Sequence, residues 1–521
     1  MKTFQTAGAC APDKNYMVDL SSRLKAIKAM VDQGLYFTIN RARQYGKTTT
    51  LSALRSYLAD IYDVISLDFQ RITDADFKTE GDFTYAFCDE LKRRTRGKMT
   101  IPVEIMDRLN TILSRDAATL KMRNLFDVIE DWCAVAEKKL VLIIDEVDSA
   151  TNNQVFLDFL ARLRDAYLSR NLEGYPAFQS VILAGVTDVK NMKRKLRPDD
   201  DHKENSPWNI AADFNVDMSF SSTDIAGMLG EYEADHHTGM DVNTVAQIIE
   251  DYTSGYPFLV SRICQLLDGD TKIEWNRHGI AEIVRRILME TNTLFDSLMG
   301  KVHSNEGLRE VLWRILFSGE TLTFNAYTLA IADAKMFGFV RNNNGTVEVS
   351  NRIFETLLYN YFLSQEELNS LTYQAATEDK QQYIKNGRLD MDYVLKRFVT
   401  IYDDLYGDKN ETFDEAEGRQ RFLLFIRPII NGTGNYYIEA ETRNKKRMDL
   451  VIDYKGEQFV VELKIWDGTK YHEEGEKQLC GYLDRMHLKK GYLLTYSFNK
   501  QKKTGVEYRT INGKKLMEAV V

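Results

Sequence analysis

The chain has 521 residues, 44% of them hydrophobic and 28% charged, with 7 prolines and a formal net charge of −9. That length calls for roughly three or four domains with ample core material, and the acidic balance argues against a wholly basic nucleic-acid coat. No apolar run approaches a membrane span, the opening MKTFQTAGACAPDKNYMVDL lacks the apolar stretch of a secretory signal, and five scattered cysteines (Cys10, Cys88, Cys133, Cys264, Cys480) without a C-x-x-C pair suit reduced thiols in a cytoplasmic protein.

Five short apolar segments alternate with helical patterns in the first third: LYFTI (Leu35–Ile39), VISLDF (Val64–Phe69), LVLIID (Leu140–Asp145), VILAGV (Val181–Val186) and FNVDM (Phe214–Met218). Nearly continuous apolar runs fit parallel strands covered on both faces, and their alternation with helices predicts a three-layer α/β domain. After the first of them comes INRARQYGKTTTLSAL, which matches G-x-x-x-x-G-K-[ST] at Gly46, Lys47 and Thr48 but carries Arg41 in place of the first glycine. A helix beginning there can hold phosphate oxygens on its free N–H groups, with Lys47 reaching the β- and γ-phosphates, Thr48 holding Mg²⁺ and Thr49 completing the loop. The guanidinium of Arg41 or Arg43 has two readings, turned towards phosphate or into solvent. Further on, KKLVLIIDEVDSA ends a strand on Asp145 and Glu146, where an aspartate can assist Mg²⁺ and a glutamate can polarise water.

Together these motifs resemble the AAA-like ATPases of the STAND and archaeal type. That resemblance implies a P-loop fold and ATP binding for roughly residues 15–270. It makes Thr187 or Asp188, in VILAGVTDV, the polar candidate for γ-phosphate sensing. It also places Gly255 and Pro257, in YTSGYPFLVSRIC, where the lid of that group contacts the nucleotide base. Arg162, Arg164 and Arg170 follow the acidic motif, and nothing in the sequence selects an arginine finger among them.

Residues 222–295 read as a helical lid and 296–365 as a winged helix, with helices followed by a hairpin around Asn344-Gly345. The stretch 366–412 reads as a polar helical connector. These follow an ATPase domain over 1–221 and precede an α/β domain over 413–521.

In that last domain, KRMDLVIDYKGEQFVVELKIWDG predicts a hairpin turning at Lys455-Gly456, which sets Asp449 opposite Glu462 with Lys464 on the same face. Opposed carboxylates repel, and a hard divalent cation, Mg²⁺ or Mn²⁺, would offset that. The helix FDEAEGRQRFLLFIRPII offers a further carboxylate at Glu417, with Glu415 equally available, and EKQLCGYLDRM sets Gln478 and Tyr482 four residues apart on one helix face. This order resembles the PD-(D/E)xK nuclease superfamily over roughly residues 415–500, although Met448 stands where the literal motif has proline. The resemblance implies a restriction-endonuclease-like α/β fold, Asp449 and Glu462 as metal ligands, Lys464 as the catalytic lysine, and Gln478 and Tyr482 as residues shaping the site or contacting phosphate. From residue 441 onward there are 17 Lys and Arg against 12 Asp and Glu, a net of +5 against −14 for everything before it, so a polyanion would meet this end.

The combined expectation is a nucleotide-binding ATPase fused to a metal-dependent nuclease acting on DNA, with no membrane partner and a homo-oligomer left open. The rival expectation is an ATP-controlled switch or partner-binding protein whose nuclease-like domain does not cleave. In a third, the ATPase works mechanically and the tail is a tether.

Overall fold

The computed structural model describes residues 2–97, 99–151, 153–187, 189, 206–317, 321–367, 370–378, 380–407, 412–440, 447–499 and 502–521, with backbone alone at 437, 439–440, 447–449 and 469–471. The chain divides into two compact units, Met1–Phe220 with Met336–Gly338, and Ser221–Lys335 with Phe339–Val521.

Alternation along short apolar strands builds the first unit. Its sheet has β1 (Phe37–Asn40), β2 (Asp63–Asp68), β3 (Leu140–Asp145) and β4 (Ser180–Gly185), all parallel and in the order β1-β4-β3-β2. Every residue of β3 is buried, which a strand can satisfy only with a layer on each face. Leu140, Leu142 and Ile144 enter a core with the helices Glu80–Thr95, Val103–Leu113, Met122–Val135 and Gln154–Glu173. Val141 and Ile143 enter the opposite core, with the helices Ser21–Asp32 and Lys47–Leu58. The expected three-layer α/β architecture is therefore present.

The fifth expected strand, Phe214–Met218, does not form. The chain meets the sheet just before it, through an isolated parallel bridge from Phe37 to Ala212. Phe214, Val216 and Met218 do pack into the core, as alternation requires, but side chains take the backbone carbonyls that a ladder would use. Arg41 donates to the Val216 carbonyl (2.7 Å), and Arg23 donates to those of Asp217 (3.1 Å) and Ser219 (2.7 Å).

The second unit opens with four helices, Ser222–His236, Val242–Thr253, Pro257–Asp268 and Arg277–Met289. Their starts are written in side chains: Ser221 and Asp224 form a reciprocal capping box, Asp241 caps Thr244, and Asn276 caps Gly279. Helices Thr293–Ser304, Glu306–Phe317 and Leu329–Met336 follow, then the hairpin β5 (Val340–Asn343) and β6 (Thr346–Val349). Asn344 and Gly345 both have positive φ (49° and 89°), as the tight two-residue turn demands.

The stretch read as a connector is an integral part of the C-terminal layer. Within it, helix Met391–Tyr406 buries Met391, Val394, Leu395, Phe398, Val399 and Tyr402 along one face. Phe398 meets Phe422 and Phe425 of helix Glu415–Ile430 edge-on at 5.0 and 5.1 Å, and Tyr496 of the sheet at 6.4 Å. That sheet has six strands in the order β13-β14-β12-β11-β10-β9: β9 (Gly434–Ala440), β10 (Arg447–Tyr454), β11 (Glu457–Ile465), β12 (Lys490–Tyr496), β13 (Gly505–Ile511) and β14 (Lys514–Val520). β9, β10 and β11 run antiparallel in succession, and β11, β12 and β14 run parallel. Helix Thr469–Arg485 covers one face through Leu479, Cys480 and Leu483 against Val451, Val460 and Leu493.

Because Phe398 joins two helices to the sheet, Phe398→Ala should cost about 3–5 kcal/mol of the second unit's stability in chemical unfolding. A loss below about 1 kcal/mol would show the helix to be a peripheral connector after all.

Candidate functional site

In the first unit, the carboxyl ends of β1, β4 and β3 lie side by side, the place where open parallel sheets take ligands. The loop after β1 reverses through Gln44 and Gly46, both with positive φ (56° and 77°), and delivers Lys47 as the first residue of its helix. Among the described groups, no side chain caps that helix start by hydrogen bonding, so its N–H groups point towards the loop mouth. The Lys47 amine is buried and donates to the carbonyls of Arg41 and Ala42, each at 3.0 Å. Burial depresses its pKa, while Glu146, Asp148 and Asp145 pull the other way. Thr48 donates its hydroxyl to Asp145 Oδ2 at 2.8 Å, joining the start of the helix to the end of β3. Thr49 accepts from the Cys10 amide at 3.1 Å.

Burial raises the pKa of Asp145, against the hydrogen bonds from Thr48 and from the Glu146 amide. Burial likewise raises that of Glu146, against the Lys47 charge. Glu146 sits at φ 56°, ψ 42°, a left-handed conformation uncommon outside glycine, at the junction of β3 with the turn Val147–Ala150. The structure thus brings Lys47, Thr48, Asp145 and Glu146 to one place. A hydroxyl in contact with a carboxylate is an oxygen donor pair that suits Mg²⁺ beside a nucleotide.

Arg41 does not turn towards the loop mouth. Its guanidinium donates to the carbonyls of Asn40 (2.8 Å) and Val216 (2.7 Å) and lies 5.1 Å over the Phe214 ring. It replaces the missing glycine as a structural tie, while Arg43 is exposed and close enough to Lys47 to oppose its charge. Arg170 is likewise structural, donating to the carbonyls of Phe178, Gln179 and Gly34. Thr187 follows the end of β4, and Asp188 lies outside the described residues. Sequence reasoning missed Asp148, whose carboxylate accepts from the amides of Val186 (2.7 Å) and Thr187 (2.6 Å). In the second unit, Pro257 opens its helix after Ser254 and Gly255, both at positive φ.

At the C-terminal sheet, Lys455 and Gly456 make the turn with φ of 51° and 78°, and Tyr454 pairs with Glu457. The register continues to Asp449 opposite Glu462, as the loop length dictates. The side chain of Asp449 lies outside the described residues. Glu462 and Lys464 are both fully buried and pair at 3.0 Å. Gly475 leaves room for the Lys464 stem, since a Cβ there would stand 3.1 Å from its Cε. On the covering helix, Tyr482 is part of the apolar core, and Gln478 has a buried Oε1 with no hydrogen-bond partner among the described residues.

Glu417 does not join this group. Its helix packs on the opposite face of the sheet, where Tyr496 donates to the Gly418 carbonyl at 2.7 Å, and its carboxylate pairs with Arg421 at 2.6 Å. Glu415 belongs to the first turn of the same helix. Among the described residues, no group of three or more His, Cys, Asp or Glu side chains is arranged to hold a metal ion. No helix among them is long and apolar enough to cross a membrane.

A second polar group on the Glu462 face escaped the sequence reading. Glu518 accepts from Thr495, the residue paired with Lys464 across the strands, and meets His472 at 3.2 Å and Arg509 at 3.3 Å. The Glu518 carboxylate beside it raises the His472 pKa, against burial. A raised imidazole pKa stabilises the fold below the unfolded value of about 6.5, and the contribution fades as pH rises through the folded value. The stability difference between wild type and His472→Gln should therefore shrink between about pH 6 and pH 8. A difference that is constant or grows over that range would contradict the pairing.

A family model described as the AAA-like domain matches residues 8–363. No curated protein matches the chain. Among solved structures, the chain is similar to a Walker-type ATPase of Pyrococcus abyssi, at 13% identity and a TM-score of 0.47 over 68% of this chain and 99% of that one. It is similar to Cdc6p of Pyrobaculum aerophilum at 12% identity and a TM-score of 0.33, over 70% and 97% of the two chains. For the ORC1 protein of Aeropyrum pernix, solved in complex with DNA, the values are 12%, 0.28, 67% and 94%. The family match spans more than half of the sequence, and with a phosphate loop and acidic strand end already in contact, the chain belongs to the AAA-like domain family.

Proposed function

We propose that the chain is an ATP-binding AAA-like ATPase whose C-terminal part is a metal-dependent nuclease of the PD-(D/E)xK type acting on DNA. The observation that carries the ATPase half is the contact of Thr48 with Asp145 beside a lysine held on its own loop's carbonyls. A phosphate chain entering the loop replaces those carbonyls as the partner of Lys47, which then moves from neutral to charged acceptors at little cost in reorganisation. The helix N–H groups hold the same phosphates, and Thr48 and Asp145 would hold Mg²⁺, which supplies charge neutralisation on the phosphate oxygens. Glu146, one residue beyond Asp145, orients the attacking water and takes its proton as the terminal phosphoryl group leaves.

The nuclease half is supported by the buried Glu462–Lys464 pair opposite Asp449 in register. A buried ion pair costs desolvation that apolar residues would avoid, so its retention in the middle of a sheet favours a chemical role. Glu462, with Asp449 opposite, is an all-oxygen donor set of the kind a hard cation takes, and that cation supplies charge stabilisation at the phosphodiester. Lys464 orients the water that attacks phosphorus; as the new P–O bond forms that water gives its proton to solvent, the bond to the 3′ or 5′ oxygen breaks, and the leaving oxygen takes a proton from solvent. The net charge of +5 from residue 441 onward favours a polyanionic substrate.

The rival reading, a domain that binds without cutting, is favoured by the closure of Glu462 onto Lys464. The two are separated by incubating the full chain with single- and double-stranded DNA and RNA, with Mg²⁺ or Mn²⁺, with and without ATP. The cleaving reading predicts metal-dependent DNA products that fall by about 100-fold or more in Glu462→Ala and in Lys464→Ala, with the fold intact. Equal product in the variants, or none from wild type with either metal, rules it out. In parallel, Lys47→Ala should weaken ATP binding by about 100-fold or more by fluorescent-nucleotide titration. Unchanged affinity would remove the phosphate-loop assignment.

A further inference from the structure

The sheet order β1-β4-β3-β2 puts β4 between the strand that leads into the phosphate loop and the strand that ends in Asp145 and Glu146. Whatever residue leaves β4 therefore emerges between the loop that delivers Lys47 and the strand end that carries the acidic pair. The chain leaves β4 through Val186 and Thr187, whose backbone is not held by the sheet, because β4 ends at Gly185.

Asp148 holds it instead. Its two carboxylate oxygens each accept one amide, Oδ2 from Val186 at 2.7 Å and Oδ1 from Thr187 at 2.6 Å. Charge-assisted bonds to two successive amides fix both the position and the rotation of that peptide. The approach is close enough to require glycine at 185, since a Cβ there would stand 2.9 Å from Val147 Cγ2 and 3.0 Å from Asp148 Oδ2. The turn carrying Asp148 is itself anchored, with Ser149 donating to the carbonyls of Phe69 (3.1 Å) and Glu146 (3.0 Å). The Gly185 carbonyl accepts the Arg41 amide at 3.2 Å, which extends the same network to the start of the phosphate loop.

We propose that Asp148 is a positioning residue for nucleotide turnover, setting Thr187 in place between the phosphate loop and the acidic pair so that the site distinguishes a terminal phosphate from its absence. This rests on the ATPase reading above. Thr187 is the residue that acts; Asp148 acts through it. The carboxylate is needed as such, because an amide at 148 offers one acceptor and turns an N–H₂ donor towards a second N–H donor.

The test uses the full chain and compares wild type, Asp148→Asn, Thr187→Ala and the double variant for affinity to ATP and to ADP and for turnover. Asp148→Asn should keep ADP affinity within about threefold while turnover falls by about 10- to 100-fold and the preference for ATP over ADP is lost. The double variant should lose no more than the worse single one, because both act on one contact. Turnover in Asp148→Asn at the wild-type rate, a parallel loss of ATP and ADP affinity, or losses that multiply in the double variant would each overturn the proposal. Should Asp148→Asn fail to fold, Asp148→Glu, which keeps the charge but displaces it by one methylene, carries the same comparison. A wild-type chain that binds no ATP sinks the ATPase reading and this proposal together; one that binds and turns over ATP, with Asp148→Asn unaffected, sinks this proposal alone.

Discussion

The hydrogen bond from Thr48 to Asp145 is the contact on which the proposed nucleotide site depends. It spans 97 residues of sequence and closes the distance between a helix start and a strand end that otherwise share no backbone pairing. Only a parallel sheet makes this arrangement available, because parallel strands present their carboxyl ends on one edge and each loop there starts a helix or turn. The two buried cores that sandwich the sheet supply the stability that a site with Lys47, Asp145 and Glu146 in low-dielectric surroundings consumes. Arg41 shows how that economy works locally. It gives up the flexibility of a glycine, but its guanidinium ties the loop entrance to Phe214 and Val216, so the loop is braced from outside its own turn.

The C-terminal sheet solves a different problem. Its strand β11 carries Glu462 and Lys464 fully buried, and the covering helix places Gly475 over the lysine stem and carries Gln478, whose buried carbonyl oxygen has no partner among the described residues. Further along the same face, His472, Glu518 and Arg509 form a second charged group beside Thr495. Two polar groups on one buried face, each flanked by apolar packing, are what distinguishes this layer from an ordinary structural sheet.

Much of this was legible in the sequence, for identifiable reasons. Four of five apolar runs became strands within a residue or two of their expected limits, because β3 and β4 are buried along their whole length and β1 and β2 flank them in the same sheet. The Asp449–Glu462 register followed from a two-residue turn, which fixes every pair beyond it. Phe214–Met218 misled because alternation reports burial and not hydrogen bonding, and here arginine side chains had taken the carbonyls. The segment 366–412 looked like a connector because polar and charged residues interrupt its apolar ones throughout, yet Met391, Val394, Leu395, Phe398 and Tyr402 fall on one helical face. Glu417 was offered to the wrong site although Arg421, four residues on, was visible as its partner. Asp148 left no trace at all, because a carboxylate that accepts from the backbone of a distant strand has no partner residue type to look for.

The central claim is that nucleotide phosphates enter between Lys47 and the Thr48–Asp145 contact. A structure of the chain with a non-hydrolysable ATP analogue and Mn²⁺ tests it most directly. The account predicts the Lys47 amine released from the Arg41 and Ala42 carbonyls onto phosphate oxygens, with anomalous metal density beside Thr48 and Asp145. Nucleotide bound elsewhere, with Lys47 still on those two carbonyls, would contradict it.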